Sequence, residues 1–454
     1  MNLELFVINK NCTIQDALLK IELNQKGFIL VDDESNKIVG ISTDGDIRRK
    51  LLEKYTLNDK IIVCTNQDFI FALEDTPREK LLKQLDHKIK AIPILDNFNK
   101  LVTIVTKDHL PQKDEEKTYA RSKSPVRISF GGGGSDTSSY FISNQGAVIN
   151  ATISLFSHST LKIRDDEKII INSLDLNEKI EFDNFKELLE YNGRFSLIQS
   201  VIKAIKPSFG FELYLHSDFP MSSGLGGSAV VTSSILGCFN QFRNDKWDQY
   251  EIAEIAFQSE RLHLGVAGGW QDQYATVFGG LNFMEFNSEQ NIINPIRLNS
   301  EILLELEESL ILCYTGTTHD SGNIHDDQKE QTKNILVKDR IESNVRLTFE
   351  MRNYLLKGKL LDFGRALHKA WELKKSFSTK ISNPMLDEIY NGAIENGAVG
   401  GKLLGAGGGG FFLFYVQPYE KLKLMKWIDS QNLKFTPFVF EEKGLQSWTV
   451  REKK

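Results

Sequence analysis

Residues 218–242, DFPMSSGLGGSAVVTSSILGCFNQF, pass from a loop of proline and small residues straight into a helical pattern that begins near Ser228. Glycines at the first turn of a helix let backbone N–H groups face outward. The helix dipole adds partial positive charge there, so such a start can hold an anion. No lysine follows the last glycine, so the loop is not a Walker A phosphate loop. Taken alone, a glycine-rich helix start is a weak signal, because an ordinary cap looks the same. Its meaning comes from what lies on either side.

Upstream, SPVRISFGGGGSDTSSYF (Ser124–Phe141) begins as an alternating strand, with Val126, Ile128 and Phe130 on one face, and runs into four glycines, Ser135 and Asp136. Each glycine costs backbone entropy, and a tight turn does not need four. The run therefore suits close approach of another molecule, with Asp136 able to accept hydrogen bonds from hydroxyls. Downstream, the stripe Ile252, Ile255, Ala256 carries on to Glu260, where a carboxylate is costly to bury without a cation or hydrogen bonds. An ion pair with Arg261 at the helix end is the plainer reading of Glu260. Asp272 sits in GVAGGWQDQYATVFGG between glycine pairs, where a helix N-cap is the plainer reading. Further on, AVGGKLLGAGGGGFFLFYV (Ala398–Val416) satisfies G-x-G-x-x-G at Gly405, Gly407 and Gly410. A dinucleotide fingerprint needs a helix next, and FFLFYV reads as a strand, so dinucleotide binding is rejected. Close approach of two backbones, or of the loop and a ligand, is the alternative.

The ordered set PVRI–GGGGSD, P-x-x-x-GLGGSA, a Glu, an Asp before a glycine pair and a late GAGGGG resembles the GHMP small-molecule kinase superfamily from about Ser122 onward. The FGGGGSD and GGWQDQY forms are most similar to its kinases of D-glycero-α-D-manno-heptose 7-phosphate. Those enzymes phosphorylate the anomeric hydroxyl to give the 1,7-bisphosphate. The resemblance implies an α+β fold, a two-lobed GHMP kinase with a ribosomal protein S5 domain 2-like N-lobe (124–305) and an α/β C-lobe (306–454). It implies ATP as co-substrate and Mg²⁺ as cofactor. Pro220, Ser222, Ser223, Gly224, Leu225, Gly226, Gly227 and Ser228 would wrap the ATP phosphates, and Ser228 with Glu260 would hold the metal. Asp272 matches the catalytic acid's position, as a base or as a group that only orients the hydroxyl. Arg127, Gly133, Gly134 and Asp136 would meet the sugar. Gly405, Gly407, Gly408 and Gly409 would line the site. Gly227 departs from the serine of many relatives, which removes one possible hydroxyl contact. A kinase of an unphosphorylated sugar such as L-fucose, or a nucleotide sensor with an inactive kinase half, stays open beside this reading.

A substrate phosphate also calls for cations. Arg194 and Lys402 are candidates, though each reads first as an ordinary surface or structural base. The polar stretch His319–Asn334, with two His–Asp pairs, reads as a solvated loop rather than a metal site.

Before the kinase-like part, Pro111–Ser124 is polar and without apolar periodicity, which makes 113–123 the linker. Residues 1–112 repeat one plan of helix, strand, turn and strand. CTIQDALLKIELNQ with GFILVDDESNKIVGIST is the first copy, and REKLLKQLDHK with KAIPILDNFNKLVTIVT the second. The run GISTDGDIRR resembles the end of a CBS motif, whose family would place Thr43 and Asp46 on a nucleotide ribose. The second copy offers Thr106 and Asp108 at a shorter spacing. A regulatory adenine nucleotide and a homodimer are what this resemblance implies.

Composition agrees with a multi-domain globular protein. At roughly 150 residues per domain, 454 residues suggest about three domains, and 41% hydrophobic with 26% charged residues excludes a disordered chain. A net charge of −6 gives no footprint for nucleic acid. No apolar run is long enough to span a membrane, and the first residues do not read as a signal peptide. Cys12, Cys64, Cys238 and Cys313 are scattered, as expected of free thiols in the cytoplasm.

Overall fold

The computed structural model describes residues 3–85, 89–106, 118–221, 223–317 and 335–451, and the chain divides into two units, Met1–Glu116 and Lys117–Lys454. In the first unit, β1 (Val7–Asn9), α1 (Ile14–Asn24), β2 (Phe28–Asp32), β3 (Ile38–Thr43) and α2 (Asp44–Leu52) form one copy of the repeat. The second copy contains β4 (Ala72–Leu73), α3 (Arg78–Gln84), β5 (Ala91–Leu95) and β6 (Leu101–Thr106). Both copies pair their first two strands parallel and the next two antiparallel, with a register shift at the same place. The turns repeat in atomic detail. Asp33 Oδ1 accepts from the backbone N–H of Ser35 and Lys37, and Asp96 Oδ1 from that of Phe98 and Lys100. Phe28, Leu30 and Ile38 from one copy meet Leu95 and Ile104 from the other in a shared core.

The second unit begins inside the stretch expected to be linker. Residues 118–123 are not linker but the start of β7 (Thr118–Gly131), a 14-residue strand. Its inward residues there are Ala120, Ser122 and Ser124, all buried but too small or polar to give an apolar alternation. β7 pairs along β8 (Gly146–Ile163) with two register shifts, a bulged geometry that bends and twists the pair. An eight-stranded sheet grows from these two, through β9 (Ile169–Ser173), β10 (Glu178–Phe182), β11 (Phe211–Ser217), β12 (Leu281–Phe286), β13 (Asn291–Pro295) and a strand near the C-terminus. The second lobe has an antiparallel sheet of β14 (Leu310–Tyr314), β15 (Ala398–Leu403), β16 (Phe411–Val416) and β17 (Lys434–Thr436), in the order β15-β16-β14-β17. The division of 124–305 from 306–454 is not clean, however. β18 (Gln446–Arg451) leaves the second lobe and pairs antiparallel with the start of β7. Its sequence, QSWTVR, lacks the apolar run that marks a central strand and suits an edge.

Helices complete the unit: α4 (Ser196–Ile205), α5 (Gly227–Asn240), α6 (Gln249–Gln258), α7 (Gln271–Phe278), α8 (Ile335–Leu356) and α9 (Leu360–Lys375). α5 is buried along almost its whole length, although it is rich in serine and threonine. Ser234 is tied to the sheet: its Oγ lies 2.7 Å from Ser159 Oγ on β8, and its carbonyl accepts from Ser122 on β7, while Thr232 Oγ1 and Ser233 Oγ are buried without a partner among the described residues. Phe130 of β7 packs edge-on against Phe363 of α9 at 5.3 Å, so one core runs through both lobes. Among the described residues no helix is long and apolar enough to cross a membrane, and all four cysteines are free.

Candidate active site

A cavity of about 370 Å³ opens in the second unit between the loop before α5, the glycine run after β7, the start of α7 and the end of β15. The helix start is built by Gly226, which caps α5 with φ 79°, a left-handed conformation that side chains disfavour. Gly226, Gly227 and Ser228 line the cavity, as do Ser223 and Gly224. Pro220 and Leu225 do not. Leu225 is fully buried, and its carbonyl accepts from the backbone N–H of Arg127. Ser222 lies outside the described residues, as do His319–Asn334 and Asp108.

Two constellations meet at this helix start. In the first, Arg127 grips Asp272 with a two-pronged bond, Nε to Oδ1 at 2.9 Å and Nη2 to Oδ2 at 2.9 Å. Its remaining nitrogen donates to the Gly224 carbonyl at 2.7 Å. Arg127 is buried on β7, and Asp272 stands in the first turn of α7 with its side chain partly open to the cavity. Such a fork fixes the carboxylate plane. A Cβ on Gly226 would sit 3.2 Å from Asp272 Oδ2, so the loop and the acid are nearly in contact.

In the second, Ser228 Oγ donates to Glu260 Oε2 at 2.5 Å, and Gln273 Nε2 donates to the other oxygen at 2.9 Å. Glu260 stands in a π-helical turn, Ser259–His263, that ends α6. Such wide turns often re-aim a side chain at a functional site. Burial pushes its carboxyl above the usual range, against the pull of Arg261 3.7 Å away. The proposed partner Arg261 is thus real but secondary. A buried carboxylate and a hydroxyl side by side are hard oxygen donors, and a hard divalent cation such as Mg²⁺ fits them. No group of three or more His, Cys, Asp or Glu able to hold a metal exists among the described residues, so phosphate oxygens or water would have to complete its shell.

Asp136 lies at the cavity's other wall. It is buried, and its oxygens accept from the backbone N–H of Gly134 and of Gln271. Burial and the nearby Asp272 charge raise its carboxyl above the usual range. Gly133 and Gly134 line the same wall. Of the third glycine segment only Gly405 reaches the cavity, with Ala406 beside it. Gly407, Gly408 and Gly409 do not line it, and Gly407 packs instead on Ile381. The reason is that this loop first braces the loop before α5. A Cβ on Gly405, which has φ 69°, would lie 2.5 Å from the Cα of Gly224. Gly405→Ala should therefore destabilise the protein by roughly 2–4 kcal/mol, combining left-handed strain with overpacking. A denaturant midpoint equal to that of the unmodified protein would contradict this contact.

Several lining residues carried no signal in the sequence. Asn344 of α8 and Lys374 of α9 are two of them. Lys374 is buried, and its ammonium donates to the carbonyls of Leu403 and Gly405 at 2.9 and 2.5 Å. Lys402, read first as an ordinary base, is buried in the cavity wall. Arg194 also lines the cavity but is exposed and paired with Glu178 at 3.2 Å. In the first unit, Thr43 caps α2 in a reciprocal box with Asp46, which also accepts from Arg49.

Comparison with known proteins follows these two units. Residues 196–280 match the GHMP kinases N terminal domain, 351–423 the GHMP kinases C terminal domain, and 1–53 and 62–110 the CBS domain. The chain is 37% identical over 336 residues to D-glycero-alpha-D-manno-heptose 7-phosphate kinase of Campylobacter jejuni, covering 73% of this chain and 99% of that protein. It is 27% identical to L-fucokinase/L-fucose-1-P guanylyltransferase of Bacteroides fragilis, over 71% of this chain but 38% of that one. Among solved structures, a D-glycero-D-manno-heptose 1-phosphate kinase from Bacteroides thetaiotaomicron superposes with a TM-score of 0.62 at 30% identity, covering 73% of this chain and all of that one. A putative sugar kinase from Campylobacter jejuni does so with a TM-score of 0.60 at 35% identity, covering 74% and 100%.

Proposed function

From the premise that the chain belongs to the GHMP kinase family and is a sugar kinase, we propose that it transfers the γ-phosphoryl group of ATP to the anomeric hydroxyl of D-glycero-D-manno-heptose 7-phosphate. The observation that carries the chemistry is the Arg127–Asp272 fork set against the glycines of the α5 start. An acceptor hydroxyl bonded to Asp272 would point at a phosphate held by those N–H groups. The identity to the Campylobacter protein supports the choice of sugar.

Phosphoryl transfer to an alcohol depends chiefly on positioning and on neutralising charge spread over the moving group. The backbone of Ser223, Gly224 and Gly226–Ser228 would bind the ATP phosphates, aided by the α5 dipole. Ser228 and Glu260 would hold Mg²⁺, which supplies charge neutralisation at the phosphate oxygens. Asp136 would orient the sugar through its hydroxyls. Asp272 would accept the anomeric proton as the new O–P bond forms and the bond from the γ-phosphorus to the bridging oxygen of ADP breaks. Arg127 would hold the Asp272 carboxylate in place through both of its oxygens while this happens. The N-terminal pair, with Thr43 and Asp46 at its nucleotide position, would bind a regulatory adenine nucleotide in a cytoplasmic homodimer.

ADP release with Mg·ATP should be fastest with heptose 7-phosphate when compared with the unphosphorylated heptose, mannose and L-fucose. The product should carry a new anomeric phosphate in its ³¹P spectrum. A preference for a free sugar, L-fucose above all, would overturn the substrate while leaving the kinase.

A further inference from the structure

Among the described residues five cationic side chains line the cavity: Arg127, Arg194, Arg261, Lys374 and Lys402. Four are already committed. Arg127 is spent on Asp272 and the Gly224 carbonyl. Arg261 donates to the carbonyls of Val266, Ala267 and Gly269. Lys374 is held by two carbonyls, and Arg194 pairs outward with Glu178.

Lys402 is different. It projects from β15 with 4% of its surface exposed, and no hydrogen bond reaches its ammonium among the described residues. Arg127 of β7 and Lys374 of α9 repel it, while Asp136 attracts it. Burying an unpaired ammonium beside two other cations is unfavourable unless an anion arrives to share the site. Four further polar atoms of the lining are without partners among the described residues, Ser223 Oγ and Arg261 Nε among them. Gln271 Nε2 and Asn344 Oδ1 are both buried in residues that line the cavity. The amide of Gln271 can donate, and its backbone N–H is already bonded to Asp136, which ties it to the wall where the sugar would lie.

We propose that Lys402 is the residue that makes the acceptor site specific for a phosphorylated sugar, its ammonium seating the phosphate that the substrate carries at its far end. This rests on the substrate reading given above. An ammonium–phosphate contact in a water-poor wall is charge-assisted, and its loss removes a contact that only the phosphorylated sugar makes.

The test compares kcat/KM for heptose 7-phosphate with kcat/KM for the unphosphorylated heptose, in the full chain and in K402M and K402R. In the unmodified enzyme the ratio should be well above one. K402M should lower it about 10–100-fold, and K402R should keep more of it than K402M does. A ratio that K402M leaves unchanged, with both sugars losing equally, overturns the phosphate seat and leaves the substrate reading intact. An increase confined to the KM for ATP overturns it as well, by placing Lys402 on the donor. A ratio near one in the unmodified enzyme overturns the substrate reading, and the phosphate seat falls with it.

A second readout does not need activity. Burial holds the Lys402 ammonium down at about 7, against 10.5 for a free lysine. The folded chain thus binds fewer protons than the unfolded one between those values. The stability present above 10.5 is lost as pH falls through about 7. Replacing the lysine by methionine removes that loss, so ligand-free K402M should melt higher than the unmodified protein at pH 6–7. The gap should close as pH rises toward 10. A lower melting point for K402M at pH 6–7 would make Lys402 a structural residue and overturn the proposal.

Discussion

Asp272→Asn should lower kcat by about 10³–10⁴-fold, the range expected when a positioned acid–base group is lost. Asparagine is nearly the same size and can still accept one bond from Arg127, so the fold should survive. What it loses is the charge that completes the fork, in which both carboxylate oxygens accept from Arg127 at 2.9 Å. It also loses any capacity to take the anomeric proton. ATP affinity, measured by nucleotide titration without acceptor, should change by less than about threefold, because the phosphates would rest on backbone N–H groups of the loop. Steady-state rates together with that titration check the prediction. Turnover within a few-fold of the unmodified enzyme would remove Asp272 from the mechanism.

Glu260→Gln should cost about 10²–10³-fold in kcat/KM, comparable to losing one preorganised charge-stabilising group. The signature is in the metal dependence. Glutamine can still accept from Ser228, which now donates to Glu260 at 2.5 Å, so the local packing is kept while the anionic donor is gone. The Mg²⁺ concentration for half-maximal rate should therefore rise at least tenfold, in initial rates measured across a Mg²⁺ titration at saturating ATP. A slower enzyme with an unchanged Mg²⁺ requirement would instead mean that Glu260 merely positions Ser228 and Gln273.

Much of the site was legible because it is made of local signals. The loop that opens α5, the stripe that carries Glu260, and the strand rather than helix after Gly410 can all be read from a few neighbouring residues. The N-terminal repeat was legible for the same reason, since each copy carries its own helix, strands and Asp turn. The unreadable parts depend on distance. Arg127 and Asp272 are far apart in sequence, and nothing near either residue announces the other. Lys402 and Lys374 resemble the many charged residues that belong on a surface, and only the tertiary fold buries them. The beginning of β7 carries no apolar alternation because small residues, Ala120, Ser122 and Ser124, face the crowded core there. For Glu260 and Asp272 the plainer local readings are a surface ion pair and a helix cap, whereas Glu260 is buried and Asp272 stands inside the first turn of α7 with Trp270 at the cap position.

The pairing of β18 with β7 also bears on how the protein comes into being. A chain leaves the ribosome N-terminus first, at about 5–20 residues per second. The first unit has core clusters of its own and can fold while the rest is still being made. The edge of β7 at Thr118–Lys123 must wait for its partner at Gln446–Arg451, which at that speed is a delay of roughly 20–70 s. Throughout that interval an unpaired strand edge faces a crowded cell, where it can add to the same edge of another nascent copy. Slow translation or a stalled ribosome late in the message would lengthen this exposure, so the yield of enzyme should depend on how fast the last hundred codons or so are read.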